Sequence, residues 1–571
     1  MSASFRLRTQ SLPAFILFLC VISTTIHAST QFREISNKAG FKYYPDIGEK
    51  NVPPLARNIF DNQGLYAADI NNDNWTDLLA IGGKHPSLFI NEEGTFRRVN
   101  PFGQLADTKV NGALFVDVNH DEWTDLVMVP QRGSPVVYEN KQGTLRFRRK
   151  LKSVTLDAGI GATAADYNGD GCVDIYLYQY GPWRQRKPRR GQRYRLGKSL
   201  EFRDDNGLPN YLLTGDCETL TESRLLNGDQ AHWSLAASSV DFNGDGLIDI
   251  HVANDFYYDS LYLNQGDGHF QYRRMDEVTD RNGMASEPVY FNNDGKVDLF
   301  VSNIRKVFDQ PYLKSDYINN IFTSKAYGSN LLINRGDGVF EDLSDTYGLT
   351  GYGWAWSVSI RDFDFDQDLE VIQAQQDFSD SRRVLGLNRK QLGLIKDFRV
   401  PESLSVNDDQ FVRLLMLAGI PSFWDKHNGN RYNALDPRNS GITIRDARGL
   451  ISLDYDRDGD LDLAAISYTD PYRLFENKLC DRRECEWLRL RVPKAVTVGG
   501  QVTAKIGERT IRQPLSDQSD YRSQESPFYH LGASGPDTIR NITVEWNNGR
   551  RTRVNDPPDS GVLRIPYPDE P

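Results

Sequence analysis

The chain is poor in the residues on which most hydrolytic and redox chemistry is built. It holds 8 histidines and 5 cysteines in 571 residues, and no G-x-S-x-G turn, H-E-x-x-H segment or phosphate-cradling glycine loop occurs. The signatures of serine hydrolases, zinc proteases and nucleotide-binding loops are therefore missing. After Ile26 there is no apolar run near the roughly 20 residues that cross a bilayer as a helix. Positive charge is also in deficit, with 67 Lys and Arg against 78 Asp and Glu and a net charge of -11. That balance argues against general nucleic-acid binding and fits a protein whose carboxylates are occupied by cations.

The first 28 residues read as a secretory signal peptide: Arg6 and Arg8 precede an apolar stretch from Leu12 to Ile26, followed by small residues at Ala28 and Ser29. The stretch is short for a retained anchor, and Leu19 before Cys20 does not suit a lipoprotein site. Cleavage leaves Cys172, Cys217, Cys480 and Cys485, an even set compatible with an oxidising compartment. Three pairings are possible, and free buried thiols are an alternative to each. Cys480 and Cys485 are close enough in sequence to staple a polar connector, which would leave Cys172 for Cys217. A second close cysteine pair, which a zinc site needs, is lacking.

One acidic motif recurs along the chain. Its copies are DINNDNWTD from Asp69, DVNHDEWTD from Asp117, DYNGDGCVD from Asp166, DFNGDGLID from Asp241, YFNNDGKVD from Tyr290, DFDFDQDLE from Asp362 and DYDRDGDLD from Asp454. Each offers oxygen side chains at positions one, three, five and nine. The first four sets are Asp69, Asn71, Asp73 and Asp77; Asp117, Asn119, Asp121 and Asp125; Asp166, Asn168, Asp170 and Asp174; and Asp241, Asn243, Asp245 and Asp249. The fifth set is reduced to Asn292, Asp294 and Asp298 because Tyr290 takes position one. The last two are Asp362, Asp364, Asp366 and Glu370, then Asp454, Asp456, Asp458 and Asp462.

Calcium explains this spacing. The hard cation takes six to eight oxygens, which a tight loop supplies from alternate side chains and a backbone carbonyl near position seven. Glycine at position six, as at Gly171, Gly246, Gly295 and Gly459, allows the sharp turn. The start of each loop is like that of an EF-hand. However, an apolar strand such as LVMVP or LAAIS follows position nine, and the bidentate Glu at position twelve is absent.

Short apolar runs and hairpin turns such as NEEGTF at 91, NQGDGHF at 264 and NRGDGVF at 334 surround the loops. Loop starts recur at about fifty residues, with longer intervals where insertions fall, which matches a four-stranded propeller blade. Seven copies predict an all-β fold: a seven-bladed β-propeller over 29–480 with insertions at about 180–235 and 377–440, then a small β-rich domain over 485–571.

The loops resemble FG-GAP/VCBS repeats, the blade type of integrin α-subunit heads. VANDFYYDSLYLNQGDGHF from 252 and DGKVDLFVSNI from 294 resemble the propeller of the cartilage acidic protein family. WLRLRV from Trp487, YRSQESP from Tyr521, HLG from His530 and VEWNNGR from Val544 resemble that family's ASPIC/UnbV domain. The resemblance implies a secreted calcium-binding protein that acts in binding, adhesion or scaffolding toward an extracellular protein or glycan. Tyr290 departs from the pattern, since an acid is usual there.

Three other features invite chemistry. WRQRKPRRGQRYRLGK from Trp183 could bind a polyanion or form a solvated loop balanced by nearby acids. His232 beside Trp233 could act as a base or sugar contact, and with the basic segment it forms the case for a calcium-dependent polysaccharide lyase. DDQFVRLLMLAGI from Asp408 predicts a short helix with Leu414, Leu415 and Leu417 in a core. Asn548-Gly549-Arg550 predicts a hairpin turn rather than an adhesion tripeptide, and Asn74 and Asn541 head glycosylation sequons.

Overall fold

The structure is a computed structural model that describes residues 32–45, 63–82, 85–105, 108–181, 207–224, 226, 231–279, 282–304, 328–351, 353–376, 420–426, 431–435, 437–468, 470–493, 498–516 and 519–568. The segment that reads as a signal peptide, the basic stretch from Trp183 and the helix expected from Asp408 lie outside these residues.

Among the described residues the fold is all-β, and the only α-helices are single turns at Ser344–Tyr347 and Pro437–Ser440. Seven antiparallel sheets come first. Each opens with a strand that enters an acidic loop, and position nine of the loop is the first residue of the next strand. The first four strand pairs are Gly64–Ala68 and Asp77–Ile81, Val110–Val116 and Asp125–Pro130, Gly159–Ala165 and Asp174–Gln179, and Trp233–Val240 and Asp249–Asp255. The other three are Glu287–Val289 and Asp298–Val301, Ala355–Arg361 and Glu370–Gln375, and Ala447–Leu453 and Asp462–Ser467. A third and a fourth strand complete each sheet.

The seventh sheet takes its fourth strand from the other end of the chain: Arg33–Glu34 pairs antiparallel with Arg473–Glu476, Arg33 opposite Glu476. This closure was not legible in the sequence, because two residues carry no periodicity.

Each opening strand packs on that of the next sheet, and the strand of the seventh returns to that of the first. These strands are buried along their length, as in Val110–Val116 and Ala447–Leu453, and contain the small-residue runs GLYAA and GIGATAA. Small residues are needed because the strands converge; a Cβ at Gly112 would lie 2.1 Å from the Ile160 carbonyl oxygen. Separate apolar cores fill the spaces between successive sheets. Leu79, Phe115 and Met128 join the first to the second, and Leu453, Ala464, Leu65 and Leu78 join the seventh to the first. Tyr290 belongs to the core between the fourth and fifth sheets, with Phe242, Leu261 and Leu299. Its aromatic ring thus serves packing where other copies have a carboxylate.

The C-terminal segment forms two further sheets. Phe528–Ser534, Cys485–Arg491 and Ser560–Arg564 make a three-stranded one; Arg509–Pro514, Gln501–Ile506, Ile539–Glu545 and Arg551–Val554 make a four-stranded one. Leu488, Leu490, Val502, Val544 and Trp546 pack between them as a β-sandwich core. The Asn548 side chain accepts the Arg550 N–H (3.1 Å) in the turn before Arg551–Val554, which agrees with the hairpin reading.

The segment around Tyr521 leaves this sandwich and lies against the opening strands of the repeated sheets. Ser523 and Gln524 run parallel to Leu65 and Tyr66 of the first sheet. Gln524 accepts the Phe115 N–H (2.8 Å) from the second, and Glu525 accepts the Ser452 N–H (2.8 Å) from the seventh. Asp520 accepts the Val358 N–H (3.0 Å) and Ser357 hydroxyl (2.7 Å) of the sixth sheet and the N–H of Ser286, just before the fifth. Tyr521 packs on Trp356. The YRSQESP motif and the adjoining Asp520 thus bond to opening strands of several sheets.

Candidate acidic-loop site and the domain that covers it

The seven loops share one hydrogen-bond scheme. The position-nine carboxylate accepts the position-two N–H, as Asp77 does from Ile70 (2.9 Å) and Asp249 from Phe242 (2.9 Å). In five loops its other oxygen accepts the N–H of an asparagine that closes the third strand: Asn91, Asn140, Asn264, Asn334 and Asn477, at 2.7 to 2.9 Å. Gly215 fills this place in the third loop, at 2.9 Å from Asp174.

These asparagines do more. The Asn140 amide donates to the Thr124 carbonyl of its own loop (3.0 Å) and to the Ile70 carbonyl of the previous one (2.8 Å). Asn91 likewise reaches Tyr455, Asn264 reaches Tyr167, Asn334 reaches Phe242 and Asn477 reaches Phe363. All five are buried, and they link loops across sheet boundaries. Sequence reasoning missed this role. The signal was present as the leading Asn of NEEGTF, NQGDGHF and NRGDGVF, but turn chemistry already accounted for it.

Burial pushes the position-nine acids up: Asp77 and Asp249 to about 8, Asp125 and Asp174 to about 7 and Asp298 to about 6, the N–H bonds offsetting part of the desolvation. In the first four loops the position-one acid is also held by backbone donors. Asp69 accepts the N–H groups of Asp73 (3.1 Å) and Asn74 (3.0 Å), and Asp241 those of Gly244 (2.7 Å) and Gly246 (2.8 Å). At position three Asn71, Asn119, Asn168, Asn243 and Asn292 donate to the position-five acid of the same loop, at 2.7 to 3.2 Å.

The sixth and seventh loops differ. Position three is Asp364 or Asp456, so the amide donor is gone and another negative charge is present. Asp362, Asp364 and Glu370 bring one carboxylate oxygen each within 4.8 Å of one another, and so do Asp454, Asp456 and Asp462. Oxygens of Asp362, Asp364, Glu370, Asp456 and both oxygens of Asp454 are buried without a hydrogen-bond partner. Burial pushes Asp364 and Asp454 to about 7, and Asp362, Glu370 and Asp462 well above the carboxylate range, with repulsion from neighbouring acids adding to the shift in all five and Arg489 opposing it at Asp454. Unpartnered buried carboxylates are costly, and a hard divalent cation supplies what they lack. These two loops therefore fit calcium best. The fifth fits worst, since position one is an apolar ring.

Of the pairings the sequence leaves open, the structure forms Cys172–Cys217 and Cys480–Cys485. The first ties position seven of the third loop to the edge of its own sheet. The second staples the connector to the sandwich, where the Cys480 N–H bonds Asp460 (3.0 Å). His232 is buried, and its ring stacks on Tyr257 at 4.0 Å, so it is not presented to solvent. Asn74, one of the two sequon residues, accepts from Arg491 (3.0 Å).

The sandwich sits on the acidic-loop side of the sheets. Arg491 lies 3.6 Å from Asp69 of the first loop and Arg489 3.9 Å from Asp454 of the seventh. His530, whose burial holds its ring near 3 and so neutral, bonds the Gly459 carbonyl at 2.9 Å. A Cβ at Gly532 would lie 2.1 Å from the Phe365 ring, so the strand approaches the sixth loop as closely as glycine permits.

Repeated four-stranded sheets with an acidic loop after every opening strand define an all-β repeat protein. A profile described as FG-GAP-like repeat matches residues 69–128, 117–177 and 241–301, and one described as ASPIC and UnbV matches 493–571. The chain carries FG-GAP-like repeats and a C-terminal ASPIC/UnbV domain. Three solved structures are similar to it. The BP39L lectin from Burkholderia pseudomallei is 11% identical over 73% of this chain and 96% of its own, with a TM-score of 0.40. The biofilm matrix protein Bap1 of V. cholerae is 10% identical over 93% of this chain and 63% of its own, at 0.30. BBS1N, solved in complex with ARL6DN, is 8% identical over 76% of this chain and 95% of its own, at 0.35. No curated protein matches.

Proposed function

We propose that the chain is a secreted seven-bladed β-propeller that binds calcium in its blade loops and acts in binding, adhesion or scaffolding toward an extracellular protein or glycan. The observation that carries the reading is the pair of carboxylate clusters in the sixth and seventh loops, in which oxygens of Asp362, Asp364, Glu370, Asp454 and Asp456 are buried without a hydrogen-bond partner. In support of the ring, the opening strands contact one another in cyclic order and the seventh sheet is completed by Arg33–Glu34. In support of export, the first 28 residues have a signal-peptide pattern and four cysteines are paired. Among the described residues no helix is long and apolar enough to cross a membrane.

Calcium in this reading neutralises clustered acids and fixes each loop, which leaves a rigid surface for the ligand. Extracellular modules of this kind bind calcium at about 10⁻⁴ to 10⁻³ M. The test is capture of immobilised extracellular glycans and matrix proteins by the mature chain, with calcium and with chelator. Retention lost on chelation and restored by calcium is expected. Retention indifferent to both, or consumption of a glycan with release of an unsaturated uronate, contradicts the reading.

A further inference from the structure

Positions four and six of every acidic loop have a left-handed backbone, with φ from 56° at His120 to 104° at Gly459. Glycine adopts this freely and asparagine more readily than most, whereas other residues bear about 1 to 2 kcal/mol of strain. The third and fourth loops follow that economy with Gly169, Gly171, Gly244 and Gly246, and a Cβ at any of the four would meet nothing within 4 Å. The first, second and sixth loops instead carry side chains at both positions, and the fifth and seventh carry one each, Asn293 and Arg457.

The strained residues are largely those that meet the sandwich. Asn72 and Asn74 of the first loop accept from Arg491 at 2.5 and 3.0 Å. Asn293 of the fifth accepts Arg512 through its carbonyl (2.9 Å) and side chain (3.2 Å), and donates to the Thr510 carbonyl. Phe365 of the sixth stacks on His530, and Gln367 donates to Asp537 (2.8 Å). In the second, Glu122 pairs with Arg564 at 3.6 Å. The seventh keeps glycine at position six, but its carbonyl accepts His530, and Trp487 packs against Gly459. Arg457 is the exception: it lies over Trp75 of the first loop at 4.8 Å. Ligand side chains thus come from the odd positions, and the sandwich engages mainly positions four and six.

Coverage is graded: Asp73 of the first loop, Asp121 and Glu122 of the second and Asn292 and Asp294 of the fifth are exposed. Gly169, Asp170, Gly244, Asp245 and Gly246 are exposed, whereas every residue from Asp362 to Glu370 and from Asp454 to Asp462 is buried or half-buried. A cavity of about 90 Å³ lies between the sandwich and these last two loops, lined by Asp362, Asp454, Arg489 and His530.

We infer that the sandwich is a cover over the cations of the sixth and seventh loops, while the third and fourth loops stay open to solvent. The inference rests on the calcium reading of the loops. A cation under the sandwich leaves only when the sandwich lifts, which also requires strain on the bonds of Asp520 and Glu525. Open-loop cations leave directly. By reciprocity, a cation in a covered loop holds the sandwich down to the same degree that docking holds the cation.

The test is rapid mixing of the calcium-loaded mature chain with an excess of a fluorescent calcium chelator. Two phases of release are expected, the slow one at least tenfold slower. Arg509 donates to the Asp366 and Gln367 carbonyls (3.5 and 3.4 Å) and pairs with the Asp368 side chain (3.6 Å); Arg509→Ala with Asp537→Ala removes these contacts and the Gln367–Asp537 bond but no ligand, and is expected to speed the slow phase tenfold at unchanged ion number. Asp241→Ala in the fourth loop is expected to reduce only the fast amplitude, and it keeps the test valid if the double variant fails to fold. A single rate with the full ion number, or a slow phase lost with Asp241→Ala, overturns the cover. Absence of any chelatable ion overturns the calcium reading and the cover together.

Discussion

The asparagines that bridge neighbouring loops lend themselves to a quantitative test, which Asn140→Ala provides. The side chain is buried. It donates to the Ile70 carbonyl at 2.8 Å and the Thr124 carbonyl at 3.0 Å, and accepts the Gly143 N–H at 2.9 Å. Alanine leaves two buried carbonyls without a donor, each costing about 1 to 3 kcal/mol. The half-buried Gly143 N–H can turn to water, so its loss adds little. A total near 3 kcal/mol follows, carried by no ionisable group and hence the same in calcium and in chelator. Asn140→Asp preserves shape but opposes a carboxylate to both carbonyls, and is expected to cost at least as much. The assay is urea unfolding of the mature protein, read by tryptophan fluorescence. A loss below 1 kcal/mol for Asn140→Ala, or an Asp variant as stable as wild type, would refute the bridge between loops.

Three further outcomes follow from the structure. Burial, with repulsion from Glu287, pushes Asp520 to about 7, so the folded state holds this proton more tightly than the unfolded chain. The resulting stabilisation is full below about pH 4 and lost as pH rises through about 7; Asp520→Asn is therefore expected to flatten stability over that range, and an unchanged profile from pH melts contradicts it. Replacing Cys172 and Cys217 by serine opens a loop with 45-residue separation and is expected to cost about 4 kcal/mol in denaturant melts, with a weakened third calcium loop because Cys172 is its seventh residue. Chelation is expected to lower the melting temperature of the calcium-loaded chain by linkage, and a melting curve indifferent to chelator contradicts the metal reading.

Much of the loop chemistry was legible in the sequence because it is local. Carboxylates at alternate positions, a left-handed turn and an apolar strand after position nine are set by neighbours a few residues apart, and the structure starts a strand at position nine in all seven copies. What could not be read is non-local. Arg33–Glu34 is too short to show alternation, yet it completes a sheet with residues more than 400 positions away. YRSQESP marked a family domain, but its polar residues gave no sign that they are buried among the repeated sheets, where Gln524 and Glu525 meet backbone groups of other sheets. Local turn chemistry leaves the side chains at positions four and six unexplained, and contacts with the distant sandwich account for most of them.

The account turns on whether the acidic loops hold calcium. The most direct measurement is calorimetric titration of calcium into the chelator-stripped mature protein, beside Asp454→Ala and Asp241→Ala. Several sites are predicted, with the tightest lost in Asp454→Ala and a weaker one lost in Asp241→Ala. A folded protein that releases no heat with calcium would contradict the central claim and reduce the seven loops to hydrogen-bonded turns.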